Sequence, residues 1–307
     1  MELTDVKTLL LGLTNRCNGA CRTCWHSQTK KDFQSQDLDL ILYNKIKESL
    51  FRSIENLQLV DGGETFLYPN LEEVIKDVGA YNLNLSIVSN FSSISDKHKE
   101  LLRDINVGLV ASIDGSYRDL QEFLRPNCTY ETVIKNIKYF RSIGKKVIMQ
   151  VTVSNYNFND MISMIDLAKS LDVNVVRFHE VQYLENLNGE YKFKQPGANK
   201  EYIKKVYKYA QQKNIKTSLL FKFKSMGDAG TTYGVSDYNR DICAKICPNM
   251  VNTIYIQSDG KMLNCCSPKS QVVGDLYRED ISDIISSDKF EYLRYNCTCD
   301  IMKGNKI

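Results

Sequence analysis

Cys17, Cys21 and Cys24 fall in one short stretch, Cys17-Asn18-Gly19-Ala20-Cys21-Arg22-Thr23-Cys24. The apolar run Lys7–Leu13 just before it reads as a strand, so the three thiols lie on the loop that leaves the strand. Three thiolates on a short loop can hold three irons of a cubane cluster and leave the fourth iron open to a small ligand. Four cysteines are the usual full set, which makes the missing fourth informative. Gly19 gives the backbone room to wrap a cluster tightly. A structural zinc site completed by a distant ligand such as His26 remains open on spacing alone, as does fortuitous spacing.

A second group of cysteines closes the chain: Cys243, Cys247, Cys265, Cys266, Cys297 and Cys299, with Cys128 alone between the groups. Ten cysteines in 307 residues is a high count, and disulfide frameworks belong mostly to much smaller secreted chains. The cysteines therefore read as metal ligands in a reducing compartment, with cytoplasmic location the expectation. Glu2 and Asp5 precede the first apolar run, which does not fit a signal peptide. No apolar run approaches the ~20 residues of a membrane helix. Forty basic and 37 acidic residues leave a net charge of +3, which gives no argument for nucleic acid or a membrane as partner.

The elements that must carry these residues alternate. Strands are expected at Lys7–Leu13, Asn56–Val60, Leu83–Val88, Val107–Ile113, Lys146–Val153 and Val173–Phe178, with a further strand allowed at Ile215–Phe221. Helices are expected at Asp37–Phe51, Leu71–Ala80, Ser95–Asp104, a long stretch ending near Ile143 and broken near Pro126, Phe158–Ser170 and Lys200–Lys213. Strands apolar on both faces and alternating with helices mark a parallel sheet covered by helices. Polar clusters recur at the strand exits: Asp61–Glu64, Ser89-Asn90, Asp114-Gly115 and His179-Glu180. That rim carries the active site in β/α barrels. The expected fold is α/β, a partial (β/α)6 TIM-like barrel over residues 1–222. A small C-terminal auxiliary domain, a β-hairpin plus a helix, follows over 223–307. In it, the Gly227–Gly234 segment reads as a loop or lid, Val251–Gln257 and Met262–Cys265 as a hairpin about Ser258–Lys261, and Ile281–Tyr292 as a helix.

The first strand, the CxxxCxxC loop and the Gly62-Gly63-Glu64 exit of the second strand together resemble the radical S-adenosyl-L-methionine (SAM) enzymes, over most of Leu9–Phe178. The resemblance implies that Cys17, Cys21 and Cys24 ligate a 4Fe-4S cluster whose open iron chelates the amino and carboxylate groups of SAM. Gly62, Gly63 and Glu64 would meet the methionine amino group, where glycines admit close approach and a carboxylate complements an ammonium. Ser112 and Asp114 match ribose-binding positions. Ser89 and Asn90, and further along Gln150 and Arg177, are also cofactor-binding candidates. The chain departs from many members in having Thr23 where an aromatic precedes the third cysteine, with Trp25 and His26 just after it.

Cys247, Gly260 and Cys265 are similar to the opening of the SPASM and Twitch auxiliary-cluster domains. Cys297 and Cys299 would complete one auxiliary 4Fe-4S cluster, with Cys299, Cys266 or Cys243 as the fourth ligand. The resemblance implies reductive cleavage of SAM, hydrogen abstraction from the substrate, and an electron donor such as flavodoxin or ferredoxin. The outcome expected is oxidation or cross-linking of a peptide or small natural product. Epimerisation of a peptide, sugar or aminocyclitol is the alternative, with Cys266 or Cys243 returning a hydrogen atom. Cys128 reads better as a buried, inert cysteine. A non-catalytic iron–sulfur electron-transfer module is a further alternative, against which the retained Gly62–Glu64 speaks. Strand one begins by Lys7, which favours a small substrate or a peptide held without an N-terminal peptide-binding domain. His179, Glu180, Gln182 and Tyr183 are placed for substrate contact.

Overall fold

In the computed structural model, which describes residues 2–28, 34–181, 191–194, 199–220, 252–264 and 270–295, the alternating runs build a ten-stranded sheet. Its strands are β1 (Thr8–Leu11), β2 (Asn56–Leu59), β3 (Asn84–Ser89), β4 (Val107–Ser112), β5 (Lys146–Val153), β6 (Val175–Glu180), β7 (Lys216–Leu220), β8 (Thr253–Ile256), β9 (Lys261–Leu263) and β10 (Val272–Asp275). The spatial order is β10-β9-β8-β1-β2-β3-β4-β5-β6-β7. Every pair from β1 to β7 is parallel, so all these strands release their exits on one rim. The further strand allowed at Ile215–Phe221 is present as β7.

Helices α1 (Trp25–Gln28), α2 (Leu40–Leu50), α3 (Leu71–Ala80), α4 (Asp96–Arg103), α5 (Arg118–Leu124), α6 (Tyr130–Ser142), α7 (Met161–Ser170) and α8 (Lys200–Gln212) occupy the crossovers. Their starts follow local chemistry. Asp39 caps α2 by accepting from Leu42 N at 2.8 Å, and Ser95 and His98 form a reciprocal capping box on α4. The break near Pro126 separates α5 from α6 as expected.

Side-chain alternation divides each strand. Val147, Met149, Val151 and Val153 of β5, Leu109 and Ala111 of β4, and Val176 and Phe178 of β6 join the buried core with α6 and α7 residues Ile137, Phe140, Met164 and Ile165. The intervening residues, including Ser112, Gln150 and Arg177, therefore face the other, concave side of the partial barrel.

The hairpin continues the barrel sheet. β8 pairs in parallel with β1, in register Thr8↔Thr253 to Leu11↔Ile256, and β9 and β10 follow antiparallel. Strand β10 escapes the sequence reading because it is short and contains Gly274; a Cβ there would stand 2.4 Å from Ile284. The expected helix Ile281–Tyr292 is two helices, α9 (Ile281–Ser286) and α10 (Asp288–Tyr295). Ser287 is extended between them, and its hydroxyl accepts from Phe290 N at 3.2 Å, which starts the second helix anew. The Gly227–Gly234 segment lies outside the described residues.

Asp61, at the exit of β2, ties the hairpin down. Its carboxylate accepts from the Tyr255 hydroxyl at 3.0 Å and from Ser258 N at 3.1 Å. It reaches them across Gly12, where a Cβ would stand 2.2 Å from Asp61 Oδ2. Replacing Asp61 with Ala strands the Ser258 amide in a buried position. The expected loss is about 1–3 kcal/mol in a urea unfolding titration, and an unchanged midpoint would contradict the clamp.

Candidate active site

The cysteine loop is anchored at both ends before any thiol is reached. At its entry Arg16 grips Asp37 through Nε at 3.0 Å and Nη2 at 2.8 Å, and donates to Leu67 O at 2.7 Å. Such bidentate pairing fixes orientation as well as charge. Further on, Ala20 N donates to Pro126 O at 3.0 Å and Arg22 N to Leu124 O at 2.9 Å, so the loop lies along the turn after α5. The Arg22 guanidinium bonds Phe123 O and stacks on the rings of Phe123 and Tyr191, 4.6 and 4.5 Å from their centroids. Cys24 N donates to Cys21 O at 3.2 Å and turns the third cysteine back toward the second.

Cys17, Cys21, Cys24 and Cys128 form no disulfide. A Cβ at Gly19 would stand 3.2 Å from Cys128 Sγ, 3.4 Å from Cys21 Sγ and 3.5 Å from Cys17 Sγ. The bare glycine is the floor of a hollow ringed by sulfur. Burial pushes the Cys17 thiol up to about 11. The hydrogen bond with Cys128, then burial, raises Cys21. These thiols hold their protons at neutral pH when empty, and a metal centre must displace them. Among the described residues no three His, Cys, Asp or Glu side chains converge in the geometry of a single metal ion. A soft donor set on a loop with a bare floor fits an iron–sulfur cluster. His26, considered above as a zinc ligand, is buried against Gly62; a Cβ on that glycine would stand 3.2 Å from its Nδ1.

Gly62-Gly63-Glu64 packs directly beneath this loop. A Cβ at Gly63 would stand 2.2 Å from Thr14 O and 2.6 Å from Arg16 O, and Glu64 N donates to Arg16 O at 2.8 Å. Glu64 is 2% exposed. It accepts from Asn90 N at 2.8 Å, from Phe66 N at 3.3 Å and from the Ser89 hydroxyl. Burial pushes its carboxyl up, against the pull of these hydrogen bonds. Ser89 and Asn90 thus hold Glu64. Asn90 also donates to Asn18 Oδ1 at 2.8 Å, inside the cysteine loop. Phe91, between Asn90 and Ser92, has φ 60° and is fully buried, a left-handed conformation that is strained for a bulky side chain. Its ring packs edge-on to Phe140 and its carbonyl accepts from Asn136 at 2.9 Å, which holds the strained bend in place.

Asp114 is buried with both oxygens engaged, Oδ1 by Thr152 N at 2.7 Å and Oδ2 by Arg125 Nε at 2.6 Å. Arg125 in turn points Nη1 at Cys21 Sγ, 3.8 Å away. Ser112, Gln150 and Arg177 are successive register partners across β4, β5 and β6 and form one row on the concave face. His179 stands one step further along β6; its Nε2 is buried without a hydrogen-bond partner, and burial, then Arg177, lowers it to about 4. Cys243, Cys247, Cys265, Cys266, Cys297, Cys299, Gln182 and Tyr183 lie outside the described residues. Sequence reasoning missed Asn18, Ser92, Phe91 and Arg125. Ser92 and Phe91 adjoin the flagged Asn90, whereas nothing local connects Arg125 to Asp114.

A rim of strand exits, a three-thiol loop and a buried carboxylate beneath it define the class, and comparison with known proteins agrees. The chain belongs to the radical SAM superfamily, whose family model matches residues 11–168. A model described as an iron–sulfur cluster-binding domain, SPASM, matches residues 247–304. Among relatives, GTP 3',8-cyclase of Campylobacter fetus is 23% identical over 278 residues, covering 85% of this chain and 80% of that one. An uncharacterized protein of Archaeoglobus fulgidus is 21% identical over 170 residues, 53% of this chain and 38% of that protein's length. Among solved structures, Streptococcus suis SuiB bound to precursor peptide SuiA superposes with a TM-score of 0.72 at 14% identity, over 97% of this chain and 70% of that one. The chain is a radical SAM enzyme with a partial-barrel fold and a C-terminal auxiliary iron–sulfur domain.

Two outcomes follow. Gly63→Ala drives a methyl group into the carbonyls of Thr14 and Arg16 and costs about 1–3 kcal/mol, with lower iron incorporation on reconstitution. Gly79→Ala in α3, where a Cβ meets nothing within 4 Å, is the neutral control; equal iron in both variants would contradict the packing. Separately, the unfolded chain protonates His179 near its ordinary 6.5, while the folded chain resists until about 4. Stability therefore falls as pH drops through that window. His179→Gln flattens that slope in urea titrations between pH 6.5 and 4; an unaltered slope would count against it.

Proposed function

We propose that this enzyme oxidises or cross-links a peptide. The observation that carries the reading is the hydrogen-bonded path from Cys21 through Cys128, Ser92 and Asn90 to Glu64, because a mere electron carrier needs no buried carboxylate beside its cluster loop. Bound there, the cluster and SAM supply one-electron chemistry that makes a substrate radical. Cys17, Cys21 and Cys24 hold the cluster, and Gly62, Gly63 and Glu64 receive the amino end of SAM, with Glu64 fixed by Ser89 and Asn90. Ser112, Gln150 and Arg177 line the concave face for the rest of the cofactor. Asp114 serves that site by fixing Arg125. His179 meets the substrate at the rim.

The SuiB–SuiA complex, which has this fold, favours a peptide over a sugar. Cys247, Cys265, Cys297 and Cys299 are proposed as ligands of one auxiliary 4Fe-4S cluster in a domain over 223–307, with the barrel over 1–222. Cys243 and Cys266 stand in reserve as ligand or hydrogen donor. Electrons come from a small carrier such as flavodoxin or ferredoxin. The four cysteines among the described residues that form no disulfide support a reducing, cytoplasmic setting. Among the described residues no helix is long and apolar enough to cross a membrane.

Anaerobic incubation of the reconstituted enzyme with SAM, dithionite and the peptides encoded by neighbouring genes tests the proposal. The expected products are 5'-deoxyadenosine and a peptide that has lost two hydrogens. Solvent deuterium in a peptide of unchanged composition would replace oxidation with epimerisation. Absence of 5'-deoxyadenosine would sink the catalytic reading.

A further inference from the structure

Cys128 is the described cysteine that the loop motif leaves without a task. It is fully buried on the turn between α5 and α6. Cys128 N donates to Arg125 O at 3.0 Å, and Asn127, at φ 67°, adopts the left-handed conformation that closes the turn. The same turn supplies Pro126 O and Leu124 O to Ala20 N and Arg22 N, so it is fastened along the cysteine loop by backbone bonds. Cys128 Sγ reaches into the hollow over Gly19, beside the sulfurs of Cys21 and Cys17, and hydrogen-bonds to Cys21.

We propose that Cys128 is a positioning residue for the cluster, donating an S–H hydrogen bond to Cys21 Sγ and thereby raising the cluster's reduction potential. This rests on the assignment of Cys17, Cys21 and Cys24 as cluster ligands. A ligating Cys21 has lost its proton, so its sulfur can only accept. Arg125 Nη1 faces that sulfur at 3.8 Å, and Asp114 holds the guanidinium there. Ser92 also hydrogen-bonds to Cys128; its Oγ accepts from Asn18 Nδ2 at 2.8 Å and donates to Asn90 Oδ1 at 2.7 Å, which leaves it one neutral lone pair. A ligating thiolate is the stronger, charged acceptor, so the Cys128 proton is directed to Cys21 Sγ. Reduction adds one electron to the cluster, and donors at a ligand sulfur stabilise the more negative state. In the same hollow, a Cβ at Gly19 would press on Cys128 Sγ at 3.2 Å and push it aside by a few tenths of an ångström.

The test is an anaerobic redox titration of the reconstituted full chain, following the electron paramagnetic signal that changes when SAM is added. Cys128→Ala is expected to shift the oxidised-to-reduced ratio about tenfold toward oxidised at fixed potential, a midpoint about 59 mV more negative for one electron. Cys128→Ser keeps a donor and stays close to the parent. Cys128→Val, which fills the hollow without a donor, repeats the shift should the alanine variant assemble poorly. A midpoint unchanged in both apolar variants overturns the proposal. So does loss of iron in Cys128→Ser and Cys128→Val alike, which would make Cys128 a ligand. A parent enzyme with no SAM-sensitive signal fails earlier, at the cluster assignment itself.

Discussion

The close approach of Gly63 to the carbonyls of Thr14 and Arg16 is the constraint on which the rest of the structure depends. It brings the exit of β2 under the loop leaving β1 at a distance no side chain permits. The adjoining Glu64 N to Arg16 O bond then sets the carboxylate at a fixed height below the thiols. Parallel pairing of β1 with β2 makes both exits point the same way, and Arg16, clamped to Asp37, keeps the loop from lifting. Sheet, loop and motif are thereby one rigid object rather than three neighbouring ones.

From that contact a chain of hydrogen bonds runs across the rim. Glu64 is held by Asn90, and Asn90 joins Asn18 and Ser92. Ser92 touches Cys128, which meets Cys21, and Arg125 bridges Cys21 to Asp114 at the end of β4. Four strand exits are connected without a charged group left in water. Phe91 bears a strained backbone at the centre of this chain, and strain of that kind persists only where packing over-determines it. A buried polar network that is fully partnered specifies one arrangement, which a site that must orient a reactive cofactor needs.

Much of this was legible in the residues. Apolar runs placed six parallel strands and the allowed seventh, and their polar exits marked the rim. The hairpin turn at Ser258–Lys261 was visible from its turn residues, and Gly260 takes a positive φ in it. Less legible was anything decided by long-range contact. Gly62 and Gly63 read as room for a ligand, and no local pattern shows that backbone also fills the space a Gly63 side chain would take. Asp114 reads as a ribose contact, and its bonds to Thr152 N and Arg125 Nε come from residues that no local pattern connects to it. Cys128 read as buried, which it is, but its contact with Cys21 was invisible because that partner lies far away in sequence. The hairpin read as part of a separate domain, but β8 finds β1 through a register that no local pattern encodes. The split at Ser287 was hidden because the apolar spacing runs on through it.

On the proposed function, the three thiols leave one iron site open and SAM enters it beside Glu64. Equilibrium binding of radiolabelled SAM to the anaerobically reconstituted chain tests it most directly, comparing the parent with the Cys17, Cys21 and Cys24 triple alanine variant. The parent is expected to bind one SAM per chain and the variant none above background, with the auxiliary iron retained. Equal SAM binding by both proteins would contradict it.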